Sequence, residues 1–201
     1  MLEFTYEREC REAGYASVCG IDEAGRGPLA GNVVAAAVIL PCGFFSPELN
    51  DSKKLSEKKR EALYEIITRE AVYAVAWATP AEIDRLNILN ATMLAMNRAV
   101  AALPVPADFA LIDGNTARGF SIPVKTIVGG DAKCPSIAAA SILAKVTRDR
   151  QCRELDLRYP EYGFARHKGY PTKEHRERVR TLGPCPEHRR SFLSFAGYEK
   201  P

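Results

Sequence analysis

The sequence lacks the patterns that define several classes of protein. Its six cysteines form no Cys-x-x-Cys pair and no Cys/His spacing typical of a zinc site, which argues against zinc domains and dithiol redox centres. It has no apolar run of membrane-spanning length, and its first nine residues lack the basic start and apolar core of a signal peptide. A Ser-His-acid order, a phosphate-binding P-loop, internal repeats and low-complexity segments are also missing. We therefore expect a cytoplasmic protein with reduced cysteines and no membrane contact.

The composition is that of a globular protein with one domain. The 201 residues, of which 46% are hydrophobic and 26% charged, are enough to bury a core. The charge is unevenly distributed, because residues 1–140 carry 14 Lys/Arg and 17 Asp/Glu (net −3), whereas residues 141–201 carry 14 and 8 (net +6) and all three histidines. An enzyme that binds metal ions and a polyanion needs such a division. A solvated basic helical face is the alternative interpretation.

The spacing of apolar residues predicts both strands and helices, in an order that favours an α/β layer architecture. Strands are predicted at 16–21, 33–40, 73–78, 108–113 and 123–128. Helices are predicted at 56–67, 80–86, 91–103, 136–157 and 172–182, with Ser56 and Thr79 as caps of the first two. We expect the first two strands to form an antiparallel hairpin with Asp22 and Glu23 in its turn. The fourth helix is expected to turn three charged residues outward: Arg148, Asp149 and Arg150.

The segment from Gly20 to Pro28 places two adjacent carboxylates beside an arginine flanked by glycines. Mg²⁺ prefers oxygen ligands, which such carboxylates provide. Arg26 offers a planar fork to phosphate oxygens, and the glycines on either side allow the backbone to approach a ligand. Taken alone, the segment fits a polar turn with a surface acidic pair equally well.

Two further predicted strands end in an aspartate, the fourth in Asp113 and the fifth, through two glycines, in Asp131. Strand ends in an open α/β sheet share one crevice, so we expect both to converge with Asp22 and Glu23. Four carboxylates in one place repel one another unless cations neutralise them. Two divalent ions about 3.5–4 Å apart could activate a water and stabilise the leaving oxygen of a phosphodiester. The pattern therefore predicts metal-dependent hydrolysis at phosphorus.

Several basic and aromatic residues have two interpretations. Lys53 and Lys54 precede a helix N-terminus, which favours an anion, but they also fit a capping loop with solvated lysines. Tyr170, between Gly and Pro, could stack on a sugar or base or pack under a loop. Phosphate contact or surface charge is the simplest interpretation of four more residues: His175, His188, Arg189 and Arg190.

Six ordered motifs occupy residues 20–31, 50–56, 111–115, 129–131, 138–145 and 167–170. Together they closely resemble bacterial ribonuclease HII. The resemblance extends from about Ala16 to Phe192, nearly the whole chain. One departure is Asn32, where the family usually has proline, and it concerns the entry into the second strand rather than a ligand.

The resemblance implies a ribonuclease-H-like fold, in which helices flank a five-stranded mixed sheet. Residues 1–201 are then a single catalytic domain, and residues 160–201 form a basic helical segment that covers the substrate. The implied enzyme is an endonuclease that cleaves the RNA strand of RNA/DNA hybrids and nicks duplex DNA 5′ of a single embedded ribonucleotide. We expect it to act as a monomer. It leaves 3′-hydroxyl and 5′-phosphate ends, uses Mg²⁺ or Mn²⁺ as two divalent ions, and removes misincorporated ribonucleotides from DNA.

The resemblance also implies roles for individual residues. Catalysis and metal binding map to Asp22, Glu23, Asp113 and Asp131. Backbone groups of Gly25, Arg26 and Gly27 contact the ribose 2′-hydroxyl, while Tyr170 reads the same junction and stacks on the next sugar. Phosphate contacts are assigned to Lys53, Lys54, Ser141 and Lys145, although the last two could equally be helix packing and solvent charge. A non-catalytic nucleic-acid-binding module and another nuclease or integrase with this fold are the competing hypotheses.

Overall fold

The computed structural model describes residues 2–50 and 52–198, and its centre is a mixed sheet of five strands. The strands are β1 (Val18–Ala24), β2 (Val33–Ile39), β3 (Val72–Ala78), β4 (Phe109–Asp113) and β5 (Val124–Ile127). They lie in the order β3-β2-β1-β4-β5. The pairs β1–β2 and β2–β3 are antiparallel, whereas β4 runs parallel to both β1 and β5. The predicted hairpin and mixed five-stranded sheet are confirmed.

The described part of the chain contains seven helices. They are α1 (Thr5–Glu12), α2 (Glu57–Glu70), α3 (Pro80–Leu86), α4 (Ile88–Ala101), α5 (Pro135–Arg158), α6 (Phe164–His167) and α7 (Lys173–Leu182). Single 3₁₀ turns occur at Ser52–Lys54, Gly130–Ala132, Arg190–Phe192 and Ser194–Ala196. The helices α1 and α6 were not predicted from the sequence. None of the helices in the described residues is long and apolar enough to cross a membrane.

Capping side chains set where two of the helices begin. The Ser56 hydroxyl accepts a hydrogen bond from the Lys59 backbone N–H at the start of α2. At α3, Thr79 accepts from the Glu82 N–H while the Glu82 carboxylate accepts from the Thr79 N–H, with Pro80 at the first helical position. These bonds satisfy N–H groups that a helix start leaves without internal partners. Both predicted caps are confirmed.

Helices cover both faces of the sheet, so its interior strand β2 is apolar along its whole length. One set of alternate residues packs towards α4: Val33, Ala35 and Ala37. The other set packs towards α2 and α5: Val34, Ala36 and Val38. All six cysteines are free thiols, in agreement with the sequence prediction.

The long helix α5 lies close against β1 because small residues meet at the crossing. Ala138, Ala139 and Ala140 are fully buried there. A Cβ atom added to Gly20 of β1 would fall 2.2 Å from the carbonyl carbon of Ser136. The crossing therefore requires glycine at this position, and it brings the residues of α5 next to the carboxyl end of β1.

Candidate active site

Asp22 and Glu23 lie inside β1 and not in a turn. Their backbones pair with Ala36 and Ala35 of β2, and the strand continues to Ala24. The prediction of a hairpin turn at the acidic pair was therefore wrong. The turn is formed by the residues that follow, 25–32, and the carboxylates start from a rigid sheet backbone.

The other two aspartates lie at the same edge of the sheet. Asp113 is the last residue of β4, the strand that runs parallel to β1, and its Oδ1 accepts the Gly130 N–H at 2.7 Å. Asp131 lies in the 3₁₀ turn after β5 and does not end that strand, which corrects the predicted strand ending. Its Oδ2 lies 3.9 Å from Lys53 Nζ. The charge of Lys53 also opposes the net rise in the pKa of Glu23.

Burial and mutual repulsion make the acidic residues costly to ionise. Burial raises the pKa of Asp22 well above its ordinary value, and the charges of Glu23 and Asp113 raise it further. A hydrogen bond from Ser141 opposes this shift. Burial and Asp113 likewise raise the pKa of Glu23, against the opposing charge of Arg26, whose Nη1 lies 3.4 Å from Glu23 Oε1. Burial and the neighbouring carboxylates therefore disfavour ionisation of Asp22 and Glu23 unless a further cation is bound.

These carboxylates fit a hard divalent cation by donor type and by charge. Carboxylate oxygens are the protein ligands that Mg²⁺ accepts, and a cation relieves the repulsion that raises the pKa of Asp22. Within residues 2–50 and 52–198, no group of three or more carboxylate, histidine or cysteine side chains is arranged so that it could hold a metal ion. The donor chemistry agrees with the predicted metal role, which stays a prediction.

A cleft of about 270 Å³ adjoins the acidic edge. Its lining combines Glu23 with the turn after β1, the 3₁₀ turn before α2, and α5: Glu23, Ala24, Gly25, Arg26, Gly27, Ser52, Lys53, Ser141, Lys145, Arg148 and Tyr170. Tyr170 is 45% exposed, and its Cε1 lies 3.6 Å from the position of a Cβ on Gly27. The structure thus brings the residues predicted to read the ribose into one cleft, and their roles stay predictions.

The predicted phosphate contacts differ in their environments. Lys53 and Lys54 are exposed. Ser141 is buried, and its hydroxyl lies 2.8 Å from that of Ser52. Lys145 pairs with the buried carboxylate of Asp149 at 2.6 Å, so the prediction that Asp149 faces outward was wrong. The neighbouring motif residue Asp51 lies outside the described residues.

Two arginines predicted at the surface are buried behind the turn. Arg148 of α5 is 2% exposed and donates to the carbonyls of Ala30, Asn32 and Lys168 at 2.9–3.2 Å. Its Nε would lie 2.0 Å from a Cβ on Gly25, which also has a φ of +96°. Arg189 is fully buried and donates to four carbonyls of the same turn: Gly25, Arg26, Pro28 and Gly31. The predicted outward positions were therefore wrong for both arginines.

The three histidines are buried as well, which corrects the surface or phosphate role predicted for two of them. His175 Nδ1 contacts the Tyr170 carbonyl at 2.9 Å, so this nitrogen carries the proton. His188 Nε2 then donates to His175 Nε2 at 3.0 Å, and His188 Nδ1 accepts the Cys185 N–H. His167 donates from Nε2 to the Tyr162 carbonyl. Burial lowers the pKa of both His175 and His188 to about 4, so this histidine cluster is neutral at pH 7.

Two predicted surface features do match the structure. Arg150 faces outward from α5 and pairs with Glu61 at 2.6 Å, and Arg190 is exposed.

Asn32 donates from Nδ2 to Gln151 Oε1 at 3.2 Å, and β2 begins at the next residue. The departure from the family pattern at Asn32 therefore leaves the entry into β2 intact.

A mixed sheet of this order, with helices on both faces and carboxylates near the ends of β1 and β4, places the chain in the ribonuclease-H-like fold class. The ribonuclease H2 of Pyrococcus horikoshii OT3 has a similar structure, with a TM-score of 0.74 and 27% identity over 90% of this chain and 97% of that one. Bst-RNase HIII, solved in complex with Mn²⁺, shares the fold at a TM-score of 0.65 and 19% identity, over 94% of this chain and 73% of that one.

Sequence comparison gives the family within this class. The family model for ribonuclease HII matches residues 19–195. The ribonuclease HII of Syntrophotalea carbinolica is 53% identical over 194 residues, which cover 96% of this chain and 93% of that protein. The chain belongs to the ribonuclease HII family. It is accordingly a ribonuclease H, a hydrolase whose family implies endonuclease activity on the RNA of RNA/DNA hybrids, so the hypothesis of a non-catalytic binding module was wrong.

Proposed function

We propose that this endonuclease also nicks duplex DNA 5′ of a single embedded ribonucleotide and leaves 3′-hydroxyl and 5′-phosphate ends. Its cellular role would be the removal of misincorporated ribonucleotides from DNA. One observation carries this proposal: Glu23 of the acidic cluster lines the same cleft as the glycine-flanked turn and the Tyr170 ring that lies over it. A nuclease that cuts at one ribose needs the reacting groups and the reader of the 2′-hydroxyl side by side.

We assign the metal site to Asp22, Glu23, Asp113 and Asp131. Their oxygen donors and their mutual repulsion suit two divalent ions, Mg²⁺ or Mn²⁺, and Bst-RNase HIII is a protein of this fold solved in complex with Mn²⁺. When bound, such ions supply an activated water and stabilise the leaving oxygen of the phosphodiester.

The chain's own residues bind and orient the substrate. The exposed backbone of Arg26 and Gly27 faces the ribose, and the Tyr170 ring packs on the sugar at the junction. The hydrogen bond from Ser141 favours the ionised form of Asp22. Lys53 and Lys145 line the cleft and attract phosphate groups, and Lys54 adds charge nearby.

The proposal extends to the organisation of the chain. Residues 1–201 would act as one catalytic domain, in which the basic segment 160–201 covers the substrate duplex. The protein would act as a monomer in the cytoplasm. Its partners would be RNA/DNA hybrids and duplex DNA that contains ribonucleotides.

The decisive experiment compares three labelled duplexes: an RNA/DNA hybrid, a DNA duplex with one ribonucleotide, and the same duplex in all-DNA form. Each is incubated with the protein and with Mg²⁺, with Mn²⁺ or with EDTA. We expect cutting of the first two only, with divalent metal only, and a single nick 5′ of the embedded ribonucleotide. Cutting of the all-DNA duplex would instead support a nuclease of this fold that does not select ribose. An intact single-ribonucleotide duplex would reject the nicking activity.

A further inference from the structure

Arg189 makes an unusual set of contacts for a buried charged residue. Its guanidinium donates to the carbonyls of Gly25 at 2.6 Å and Arg26 at 2.9 Å. It also donates to Pro28 at 2.8 Å and Gly31 at 2.9 Å. One side chain thus holds four carbonyls of a single turn from its buried side.

These contacts fix the direction of the amide groups on the other side of the turn. The peptide unit is planar and the described chain has no cis peptide bond, so each N–H points opposite to the carbonyl of the preceding residue. Holding the Gly25 and Arg26 carbonyls on fully buried Arg189 therefore turns the N–H groups of Arg26 and Gly27 outward. Both of these residues are exposed and line the cleft next to Tyr170.

The two outward amides are available to a ligand. In the described residues, neither the Arg26 N–H nor the Gly27 N–H donates to a backbone or side-chain acceptor of the protein. By contrast, the neighbouring Leu29 and Gly31 amides donate to the carbonyls of Gly169 and Glu187. The turn is thus tied down at its far end and presents donors at the end that faces the acidic residues.

Keeping a cation at this position is costly. Among the residues described, no carboxylate forms an ion pair with Arg189, and burial together with the charge of Arg148 lowers the pKa of Arg189 to about 9. An apolar side chain would fill the space without this desolvation penalty, but it could not hold four carbonyls. The fork of the guanidinium, with its five fixed donors, matches this task in a way that a lysine ammonium does not.

We infer that Arg189 is a positioning residue for ribonucleotide recognition: it directs the Arg26 and Gly27 amides at the ribose 2′-hydroxyl. This inference rests on the proposed function, in which the turn reads that hydroxyl. Arg189 itself touches no substrate. Its contribution is the preorganised direction of two donors.

The test measures selectivity for ribose separately from turnover. Dissociation constants are measured for a DNA duplex with one ribonucleotide and for the all-DNA duplex, with Ca²⁺ in place of Mg²⁺ so that cutting does not interfere. The variants are Arg189→Lys, which keeps the charge, and Arg189→Met, which removes it. The control is Arg98→Met on α4, which loses an ion pair with Glu82 at 2.7 Å and lies outside the cleft.

We expect the ratio of the two dissociation constants to fall by about tenfold in Arg189→Lys, as the loss of an aligned hydrogen bond predicts, and to stay unchanged in Arg98→Met. An unchanged ratio in folded Arg189→Lys would overturn the inference and leave the proposed function standing. A ratio of one in the wild-type protein, together with no nick at the ribonucleotide, would instead reject the proposed function itself.

A second measurement uses the wild-type protein and does not depend on whether the variants fold. Amide NMR signals are followed as each duplex is added. The Arg26 and Gly27 signals should shift with the ribonucleotide-containing duplex and remain in place with the all-DNA duplex. Equal shifts with both duplexes, or no shift with either, would contradict the inference.

Discussion

The two halves of the cleft treat charge in opposite ways. The acidic half consists of four carboxylates: Asp22, Glu23, Asp113 and Asp131. Burial and repulsion between neighbouring carboxylates raise the pKa of Asp22 and Glu23. In the turn half, formed by residues 25–31 with Arg148, Arg189 and Tyr170, buried cations are surrounded by backbone carbonyls. The carboxylates of the acidic half repel one another, whereas the buried cations of the turn half are satisfied by backbone carbonyls. The comparison separates a half in which like charges are gathered from a half in which buried charges already have acceptors.

The largest effect should come from the acidic half. Asp113→Asn removes one charge but keeps an oxygen that can accept the Gly130 N–H. We expect metal-dependent cutting to fall by about a thousandfold, because metal binding and charge stabilisation are both lost. Thermal stability without metal should be equal or higher, since Asp22 and Glu23 lose a repelling neighbour.

Rates and melting temperatures with and without Mn²⁺ check this prediction. Added Mn²⁺ should raise the melting temperature of the wild-type protein and raise that of the variant less. The matched control is Asp108→Asn, just before the opposite end of β4, where the carboxylate accepts the Ala16 and Ser17 amides. A wild-type rate in Asp113→Asn would remove Asp113 from the mechanism.

The next effect should come from the exposed edge of the turn half. Tyr170→Ala removes the ring over Gly27. We expect cutting at a single ribonucleotide to fall by about tenfold or more, as the loss of one stacking contact predicts, and cutting of a continuous hybrid to fall less. The control is Tyr64→Ala, which removes a ring packed against Arg150 on the outer side of α5. Equal losses on both substrates would contradict a junction-reading role for Tyr170.

Acidification should affect the histidine cluster, which lies next to the turn half at Ala30, and the acidic half with opposite signs. Burial holds the pKa of His188 at about 4, against 6.5 for an ordinary histidine, so the unfolded chain binds more protons between these pH values. The free energy of unfolding should therefore be highest above pH 6.5, as far as this histidine contributes. It should fall between pH 6.5 and pH 4, by about 3 kcal/mol for one such histidine. The raised pKa of Asp22 acts in the opposite sense, because protonation relieves its buried charge.

Urea unfolding between pH 7 and pH 4.5 measures this dependence. In His188→Gln the slope of unfolding free energy against pH should be shallower, whatever the variant's stability at pH 7. Equal slopes in the wild-type protein and in His188→Gln would show that His188 is not neutral and buried in solution.

The smallest effect should come from a cation between the halves. Lys53 is exposed, and its Nζ lies 3.9 Å from Asp131. We expect Lys53→Ala to raise KM a few-fold, leave kcat nearly unchanged and reduce the salt dependence of binding by about one charge. The control is Lys59→Ala on α2, which loses only an exposed pair with Glu48. A large drop in kcat would place Lys53 in the chemical step instead.

The sequence predicted the acidic half better than the turn half, and the reason is physical. Carboxylates at strand ends are visible because apolar runs mark the strands, and Thr79 with Glu82 marks a helix start through side-chain chemistry. Helix α1 was missed because its N-cap residue, Phe4, makes no side-chain hydrogen bond. Asp22 and Glu23 were placed in a turn because charged residues rarely continue a strand pattern.

The buried cations of the turn half had no such signal. Arg148 and Arg189 bind backbone carbonyls, which every residue carries, so no complementary residue in the sequence points to them. Surface exposure was the better expectation for an arginine or histidine without an acidic partner. Their burial became evident only when the fold brought the turn, α5 and the C-terminal segment together.

The spacing between strand and helix at Gly20 has a consequence for redesign. No side-chain atom separates β1 from α5 at that crossing, so the strand that carries Asp22 and the helix that carries Ser141 and Arg148 share a fixed separation. A single methyl group introduced there would act as a wedge and move every α5 contribution to the cleft at once. The width of the cleft is therefore set two residues upstream of the first carboxylate, at a position that bears no functional group.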